Sequence, residues 1–99
     1  MFWYLGETRY IYAVVTSTAA VTISSATCSV YLLSEGASED TITSKSSGNA
    51  VISGNISTSV TLGYLFTPDI LGNYLAIFSY VIGSETYESR QIINVRETI

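Results

Sequence analysis

The sequence contains no histidine, only one cysteine and one proline, and 12% charged residues. Without histidine it cannot form a Ser–His or Cys–His nucleophile pair or an imidazole metal site. The single Cys28 cannot form an internal disulfide bond. The four basic residues, Arg9, Lys45, Arg90 and Arg96, are too few to neutralise a nucleic-acid backbone. The sequence therefore predicts a protein that is not an enzyme, uses no cofactor and does not bind nucleic acid.

Long hydrophobic runs are also missing. No apolar segment approaches the ~20 residues of a membrane-spanning helix, so we expect no membrane insertion. The N-terminal segment Met1–Leu5 is apolar but short, and Glu7 follows it closely. This segment has neither a basic leader nor a small-residue cleavage site, so it does not resemble a signal peptide. We expect synthesis and folding in a reducing cytoplasm.

What the chain does contain is enough apolar material for one core. Its 99 residues are 47% hydrophobic with a net charge of −4, and serine and threonine supply much of the polar surface. A chain of this length buries roughly two-thirds of its unfolded surface. We predict a single domain over residues 1–99, with residues 1–6 as an apolar N-terminal arm.

Alternating apolar residues predict two long strands. The even positions from 56 to 66 are apolar except Thr58, and Pro68 ends the ladder because it has no N–H to donate. The even positions from 74 to 82 are likewise apolar. Gly83-Ser84 suits the two central positions of a hairpin turn. A two-residue loop there pairs residue 82 with 85, 74 with 93 and 75 with 92.

The remaining strands follow from turn signals every eight to twelve residues. Seven strands without a convincing helix predict an antiparallel β-sandwich. The other predicted strands are Thr8–Thr16, Val21–Leu33 with a bulge or kink at Ser24-Ser25, Thr41–Ser46, Ala50–Ser53 and Glu85–Arg96, with turns at 17–20 and 47–49. The predicted core is Val14, Ile23, Cys28, Val30, Leu32, Ile52, Val60, Leu62, Tyr64, Tyr74, Phe78, Ile93 and Val95.

Few residues are candidates for chemistry. Cys28 lies in mid-strand between Ala26 and Val30, which predicts a buried, unreactive thiol. The loop carboxylates Glu35, Glu39 and Asp40 could ligate Ca²⁺, but their spacing matches no EF-hand, and solvated loop polarity is a far commoner explanation. Glu88 and Arg90 are expected to form an exposed ion pair, and Asn55-Ile56-Ser57 matches a glycosylation acceptor by chance.

The terminal hairpin has a second apolar face that a monomeric sandwich would normally make polar. Leu75, Ile77, Val81 and Ile92 point away from Tyr74 and form a hypothetical interface. The face could be covered by another subunit or by the Phe2–Leu5 arm. A register error of one residue would also account for it. Strand Thr8–Thr16 has a similar surplus of apolar residues.

The aromatic content supports an alternative function. Eight tyrosines and one tryptophan could line a platform for sugars. Half-buried strand positions account for Tyr64, Tyr74 and Tyr80, whereas Trp3, Tyr4, Tyr10 and Tyr12 have no obvious structural position. The residues thus leave open a protein-binding and a carbohydrate-binding module.

The segment Gly72-Asn73-Tyr74, four residues after Pro68, resembles the tyrosine corner of immunoglobulin-like domains. The layout from Thr8 to Val95 is similar to short bacterial and phage Ig-like domains, although the Cys–Trp–Cys signature of antibody domains is absent. The resemblance implies an Ig-like sandwich in which Gly72 and Tyr74 form a structural corner. It also implies a non-catalytic structural module of a phage virion (tail or capsid), working through protein contacts or self-association, or alternatively a carbohydrate- or surface-binding adhesion module.

Overall fold

Eight β-strands in two sheets make up the described part of the chain. A computed structural model describes residues 2–33, 43–54 and 57–97. The strands are β1 (Phe2–Tyr4), β2 (Arg9–Val21), β3 (Ile23–Leu33), β4 (Thr43–Asn49), β5 (Val51–Ser53), β6 (Ser57–Phe66), β7 (Gly72–Ile82) and β8 (Glu85–Arg96). A large sheet has the order β1-β8-β7-β3-β4 and a small sheet the order β2-β6-β5. The predicted all-β sandwich is confirmed.

The strand order is that of an immunoglobulin-like sandwich. From β2 to β8, the strands follow the sequence B, C, C′, D, E, F, G, with B-E-D in one sheet and G-F-C-C′ in the other. Neighbouring strands are antiparallel except β1, which pairs in parallel with β8. The inner faces of the two sheets form one hydrophobic core.

The terminal hairpin has the predicted register. Ile82 pairs with Glu85, and further along the ladder Tyr74 pairs with Ile93. Gly83 has a φ of 63°, which glycine adopts without steric cost. A two-residue turn therefore determines which residues of β7 and β8 face the core. The predicted bulge in β3 is also confirmed, because its register to β7 shifts between Ile23 and Ser25.

The predicted core position of Val14 is wrong. Val14 is 59% exposed, and the neighbouring Ile11 and Ala13 are buried instead. Both faces of β2 are apolar in sequence, so alternation could not identify the inward set. The predicted turn at residues 17–20 is a bulge within β2, since the register to β6 shifts between Thr16 and Val21.

The N-terminal arm is a strand of the large sheet. Phe2–Tyr4 pairs with residues 94–96 of β8, and the Trp3 side chain is fully buried in the core. The arm thus extends the sheet at its edge, and the prediction that it could fold over the outer face of the hairpin is wrong. A three-residue strand has too short a pattern to be recognised, and its partner lies at the other end of the chain.

The predicted turn at residues 47–49 is also wrong, because these residues end β4. The chain changes sheets at Ala50, whose N–H donates to the Ala26 carbonyl at 2.9 Å before β5 begins. Ser, Gly and Asn favour turns, but here they pair along the edge of β3. The predicted loop carboxylates Glu35–Asp40, the start of the Thr41–Ser46 strand and the Asn55-Ile56 site lie outside the described residues.

The tyrosine corner is present. The Tyr74 ring is fully buried, its hydroxyl donates to the Ile70 carbonyl at 2.6 Å, and the Ile70 N–H donates back to the hydroxyl oxygen at 3.2 Å. Burial, opposed by the bond to Ile70, raises the pKa of Tyr74. Gly72, with a φ of 138°, begins β7 just before it.

Replacing Tyr74 by phenylalanine is expected to lower the free energy of unfolding by about 1–3 kcal/mol, because the Ile70 carbonyl loses its donor. Urea denaturation of both proteins measures the difference. Tyr4→Phe, at a more exposed position, serves as the control. An unchanged midpoint for Tyr74→Phe would mean that the corner does not hold the β6–β7 connection.

The burial of Cys28 in the core can be tested through the pH dependence of the free energy of unfolding. Desolvation raises the pKa of its thiol from 9.0 to about 12. Between these values the unfolded chain loses a proton that the folded chain keeps, so stability falls as pH rises. The expected slope is about 1.4 kcal/mol per pH unit.

Denaturation of wild-type protein and Cys28→Ala from pH 8 to 11 isolates this contribution, because the tyrosines titrate in both proteins. The difference in unfolding free energy between the two should shrink as the pH rises. A constant difference would contradict the inward position of Cys28.

Candidate functional site

The outer face of the small sheet is the strongest candidate for a binding surface. Because Ile11 and Ala13 point into the core, Tyr10, Tyr12 and Val14 point outward. The ladder pairs these three with Leu65, Gly63 and Thr61 of β6, and Gly63 in turn pairs with Val51 of β5. We call this surface the tyrosine face; its apolar members are Tyr10, Tyr12, Val14, Val51 and Leu65, arranged around Gly63.

These five side chains are unusually exposed for their size. Each is between 41% and 59% exposed. Together they are half of the ten exposed large apolar side chains in the described ranges, which are Tyr4, Tyr10, Tyr12, Val14, Val51, Leu65, Ile70, Leu71, Tyr87 and Ile92. Single exposed apolar residues are ordinary, whereas a contiguous patch marks an interaction site. The concentration on one face of one sheet makes it a candidate docking surface.

The two tyrosine rings lie over the buried Gly63 and line one side of a groove. The Tyr10 and Tyr12 rings are stacked, with centroids 5.8 Å apart and planes 22° from parallel. A Cβ at Gly63 would lie 3.3 Å from the Tyr12 ring and 3.4 Å from the Tyr10 ring. A groove of about 240 Å³ lies among these three residues, Val51 and Ser53. The groove is therefore lined by aromatic and aliphatic side chains, and the residues that carry hydroxyl groups there are Tyr10, Tyr12 and Ser53.

The backbone beneath Tyr12 is held by the large sheet. The side-chain amide of Gln91, on β8, donates to the Tyr12 carbonyl. At the start of β2, the Arg9 guanidinium lies 4.8 Å from the Trp3 ring centroid and 3.0 Å from the Glu7 carboxylate. The start and the middle of the exposed segment are thereby attached to the rest of the sandwich, which fixes the strand that carries the tyrosines.

The tyrosine face has no charged side chain among its described residues. The charges on described side chains lie elsewhere: at Glu7 and Arg9, at Asp69, and along and just after β8. One of these is the predicted pair of Glu88 and Arg90, which is present at 3.2 Å. An uncharged apolar face can be covered without the cost of removing ions from water.

The interface hypothesised from the sequence lies on the outer face of the large sheet. Leu75 is only 6% exposed and Ile77 and Val81 are half-buried, while Ile92 is 48% exposed. Leu75 lies between Tyr31 of β3 and Ile92 of β8 in the ladder. Neighbouring side chains of the same sheet thus already cover much of Leu75, Ile77 and Val81. These residues and Ile92 remain a hypothetical interface, but they expose less apolar surface than the tyrosine face does.

A second cleft opens between the sheets at the hairpin end. Val15, Val21 and Ile82 line it together with the stacked rings of Tyr80 and Tyr87, and its volume is about 360 Å³. The Tyr87 hydroxyl donates to the Glu85 carboxylate at 2.7 Å, which raises the pKa of that tyrosine. Three aliphatic residues of this cleft, Val15, Val21 and Ile82, pack against the core, which makes the cleft the open end of the sandwich.

Sequence reasoning noted the surplus apolar face of the first long strand but left Tyr10 and Tyr12 without a position. The outward face of β2 can be identified from its pairing with β6. The alternation of β6 shows which of its residues point inward, and the ladder transfers that assignment to β2.

The described residues contain no cluster of metal-ligating side chains and no helix capable of spanning a membrane. Comparison with known proteins gave no match to a family model, to a curated protein or to a solved structure.

Proposed function

We propose that this chain is a non-enzymatic assembly module that binds another protein through its tyrosine face. The supporting observation is the position of five exposed apolar side chains on one uncharged face of the small sheet. Each such side chain contributes roughly 1.5–3 kcal/mol when it is fully buried. Covering the face with a partner recovers part of that free energy, and the rigid sandwich positions the contact. The phage-particle setting implied by the Ig-like resemblance belongs to this proposal, and the identity of the neighbouring genes tests it.

Site-specific photo-crosslinking in the producing cells tests the protein contact. A p-benzoylphenylalanine in place of Tyr12 keeps an aromatic side chain on the face and reacts with whatever lies within a few ångströms. The same group in place of Thr27, exposed on the outer face of β3 in the large sheet, is the matched control. We expect protein adducts from position 12 and none from position 27. Equal labelling at both positions, or none at either, would contradict the proposal.

A carbohydrate-binding module is the second candidate, and the stacked tyrosine pair favours it. Aromatic faces carry negative charge density that attracts the C–H groups of a sugar ring. The groove beside Gly63 also offers the Ser53 hydroxyl and an uncharged wall. A glycan array probed with wild-type protein and Tyr12→Ala tests this candidate. Glycan signals that Tyr12→Ala abolishes would favour it over protein assembly.

A further inference from the structure

We infer that two copies of this chain form a dimer by pairing their β8 strands edge to edge, antiparallel, about a two-fold axis at Ser89. This contact is separate from the tyrosine face and does not rest on the proposed function. Three observations on the described residues support it: the part of β8 that no strand covers, the direction of its backbone groups, and the order of its charges.

The side of β8 away from β7 is paired along only part of its length. Strand β1 covers residues 94–96 there, and no other strand of the described residues pairs with that side. Residues 85–93 therefore form an uncovered segment, which we call the β8 edge, between β1 and the turn at Gly83-Ser84. Most of its residues are exposed. An uncovered edge of this length can pair with a strand of another chain.

The backbone of β8 restricts how a second strand can pair with it. A two-residue turn makes Ile82 and Glu85 a hydrogen-bonded pair, and such pairs alternate along an antiparallel ladder. The odd residues of β8 therefore direct their N–H and C=O groups toward β7, and the even residues direct theirs toward the β8 edge. The contact with β1 agrees, because the Leu5 N–H donates to the carbonyl of Arg96 at 2.9 Å. A strand added at this edge must therefore bond to the even residues.

The limits of the β8 edge and its charges select the same register. The midpoint of residues 85–93 is Ser89, so an antiparallel pair centred there fills the edge of both copies without meeting β1 or the turn. In that register Glu88 lies opposite Arg90 of the second copy, and both residues are even, as the backbone requires. An axis at Glu88 or at Arg90 would instead place like charges opposite each other, which is destabilising.

Charges of alternating sign surround the axis in this register. Each copy already holds Glu88 and Arg90 as an ion pair at 3.2 Å, on side chains that are 52% and 45% exposed. The dimer joins two such pairs, so each charge has an opposite charge both along its own strand and across the contact. A chain of net charge −4 repels its own copies in most orientations, and this register replaces repulsion by attraction at the contact.

The neighbouring edge of β2 is less suited to such pairing. The Gln91 side chain occupies the Tyr12 carbonyl, and the register of β2 to β6 shifts between Thr16 and Val21. Bulges and occupied backbone groups discourage strand addition. Strand β8, by contrast, keeps a regular ladder to β7 over the whole β8 edge. The regular strand is therefore the one that offers an ordered row of groups to a second copy.

Sedimentation velocity of charge-reversal variants, from about 1 µM to 1 mM, tests the register. A contact made by one strand pair is small, so we expect wild type to dimerise in the micromolar range or weaker, with a mass that rises with concentration. Glu88→Arg and Arg90→Glu each oppose like charges and should raise the dissociation constant about tenfold or more. The double variant restores opposite charges and the net charge of wild type, so it should dimerise within about threefold of wild type.

An equimolar mixture of the two single variants gives a second test. One chain then carries arginine at both positions and the other carries glutamate at both, so a mixed dimer should form although each variant alone stays largely monomeric. Glu97→Arg is the matched control, because it makes the same change of charge at an exposed position beyond the residues that β1 covers. Its dissociation constant should stay within about twofold of wild type, since its charge is screened from the contact. Circular dichroism verifies that each variant is folded.

A Ser89→Cys variant tests the axis itself. Residues at a non-hydrogen-bonded antiparallel pair have Cα atoms about 4.5 Å apart, a distance that a disulfide can span. Oxidation by glutathione disulfide should therefore link Ser89→Cys into a covalent dimer. Thr86→Cys would lie about 20 Å from its counterpart and should remain unlinked. The native Cys28 is buried in both variants.

Three outcomes overturn the inference. The first is a wild-type protein that stays monomeric up to the highest concentration. The second is a dimer that neither charge reversal weakens, because the contact then lies elsewhere. The third is a dimer that the reversals weaken but that neither the double variant nor the mixture restores, because Glu88 and Arg90 are then not opposite each other. The proposed function is tested separately, by photo-crosslinking at position 12 with other proteins.

Discussion

Replacing Trp3 by alanine is expected to lower the free energy of unfolding by about 3–5 kcal/mol, as truncation of a buried tryptophan usually does. Trp3 lies in the short first strand, yet its side chain is fully buried. Its ring meets Phe66 edge-on at 6.1 Å, and Phe66 in turn meets Tyr74 at 5.4 Å. The three rings connect β1, β6 and β7 across the core, so the truncation leaves a cavity between the two sheets.

Polar contacts of the indole add to the expected loss. Its Nε1–H donates to the Glu7 carbonyl at 2.6 Å, and the Arg9 guanidinium lies over the ring. Both contacts hold the connection from β1 to β2, so the variant should also loosen the start of β2. The stability of a domain of this size is only about 5–15 kcal/mol, and the variant would lose a large part of it.

Urea denaturation monitored by circular dichroism measures the effect, with Tyr4→Ala as the control. Tyr4 lies on the same strand but is 38% exposed, so its truncation should cost much less. Equal losses for the two variants would show that β1 is an edge strand without an anchor in the core.

The second large effect is a contrast between neighbouring residues of β2. Ala13→Glu should destabilise the protein by more than about 3 kcal/mol, because it buries an unpaired carboxylate in a core position that also lacks space. Val14→Glu should change stability by no more than about 1 kcal/mol, because Val14 is exposed and loses only strand propensity. Both substitutions introduce one negative charge, and the two positions are adjacent in β2.

Thermal unfolding of the two variants compares them directly. The orientation of β2, and with it the outward position of Tyr10 and Tyr12, predicts that only Ala13→Glu unfolds at a much lower temperature. The reverse order would mean that Val14 faces the core, and the tyrosine face would then not exist.

Much of the sandwich could be predicted because particular residues leave few choices. The two-residue turn at Gly83-Ser84 determines the pairing of the whole terminal hairpin, and the alternation from 56 to 66 determines the inward face of β6. Tyr74 could be placed because a tyrosine after a glycine corner has a specific hydrogen-bonding role. These are local signals, and the structure agrees with each of them.

The face of β2 and the existence of β1 could not be predicted, because both depend on distant partners. Strand β2 is apolar on both faces, and only its pairing with the patterned β6 shows which set is inward. Trp3 is positioned by Val95, which lies at the other end of the chain. The site on the small sheet was missed for the same reason, since exposed tyrosines and core residues alternate within one apolar run.

The central claim, that the tyrosine face is the contact surface for another protein, can be tested residue by residue by photo-crosslinking in the producing cells. A p-benzoylphenylalanine should give adducts with other proteins from positions 10, 12 and 51 on the tyrosine face and none from positions 27 and 92 on the outer face of the large sheet. Adducts with other proteins centred on position 92, or none from the tyrosine face, would contradict the account.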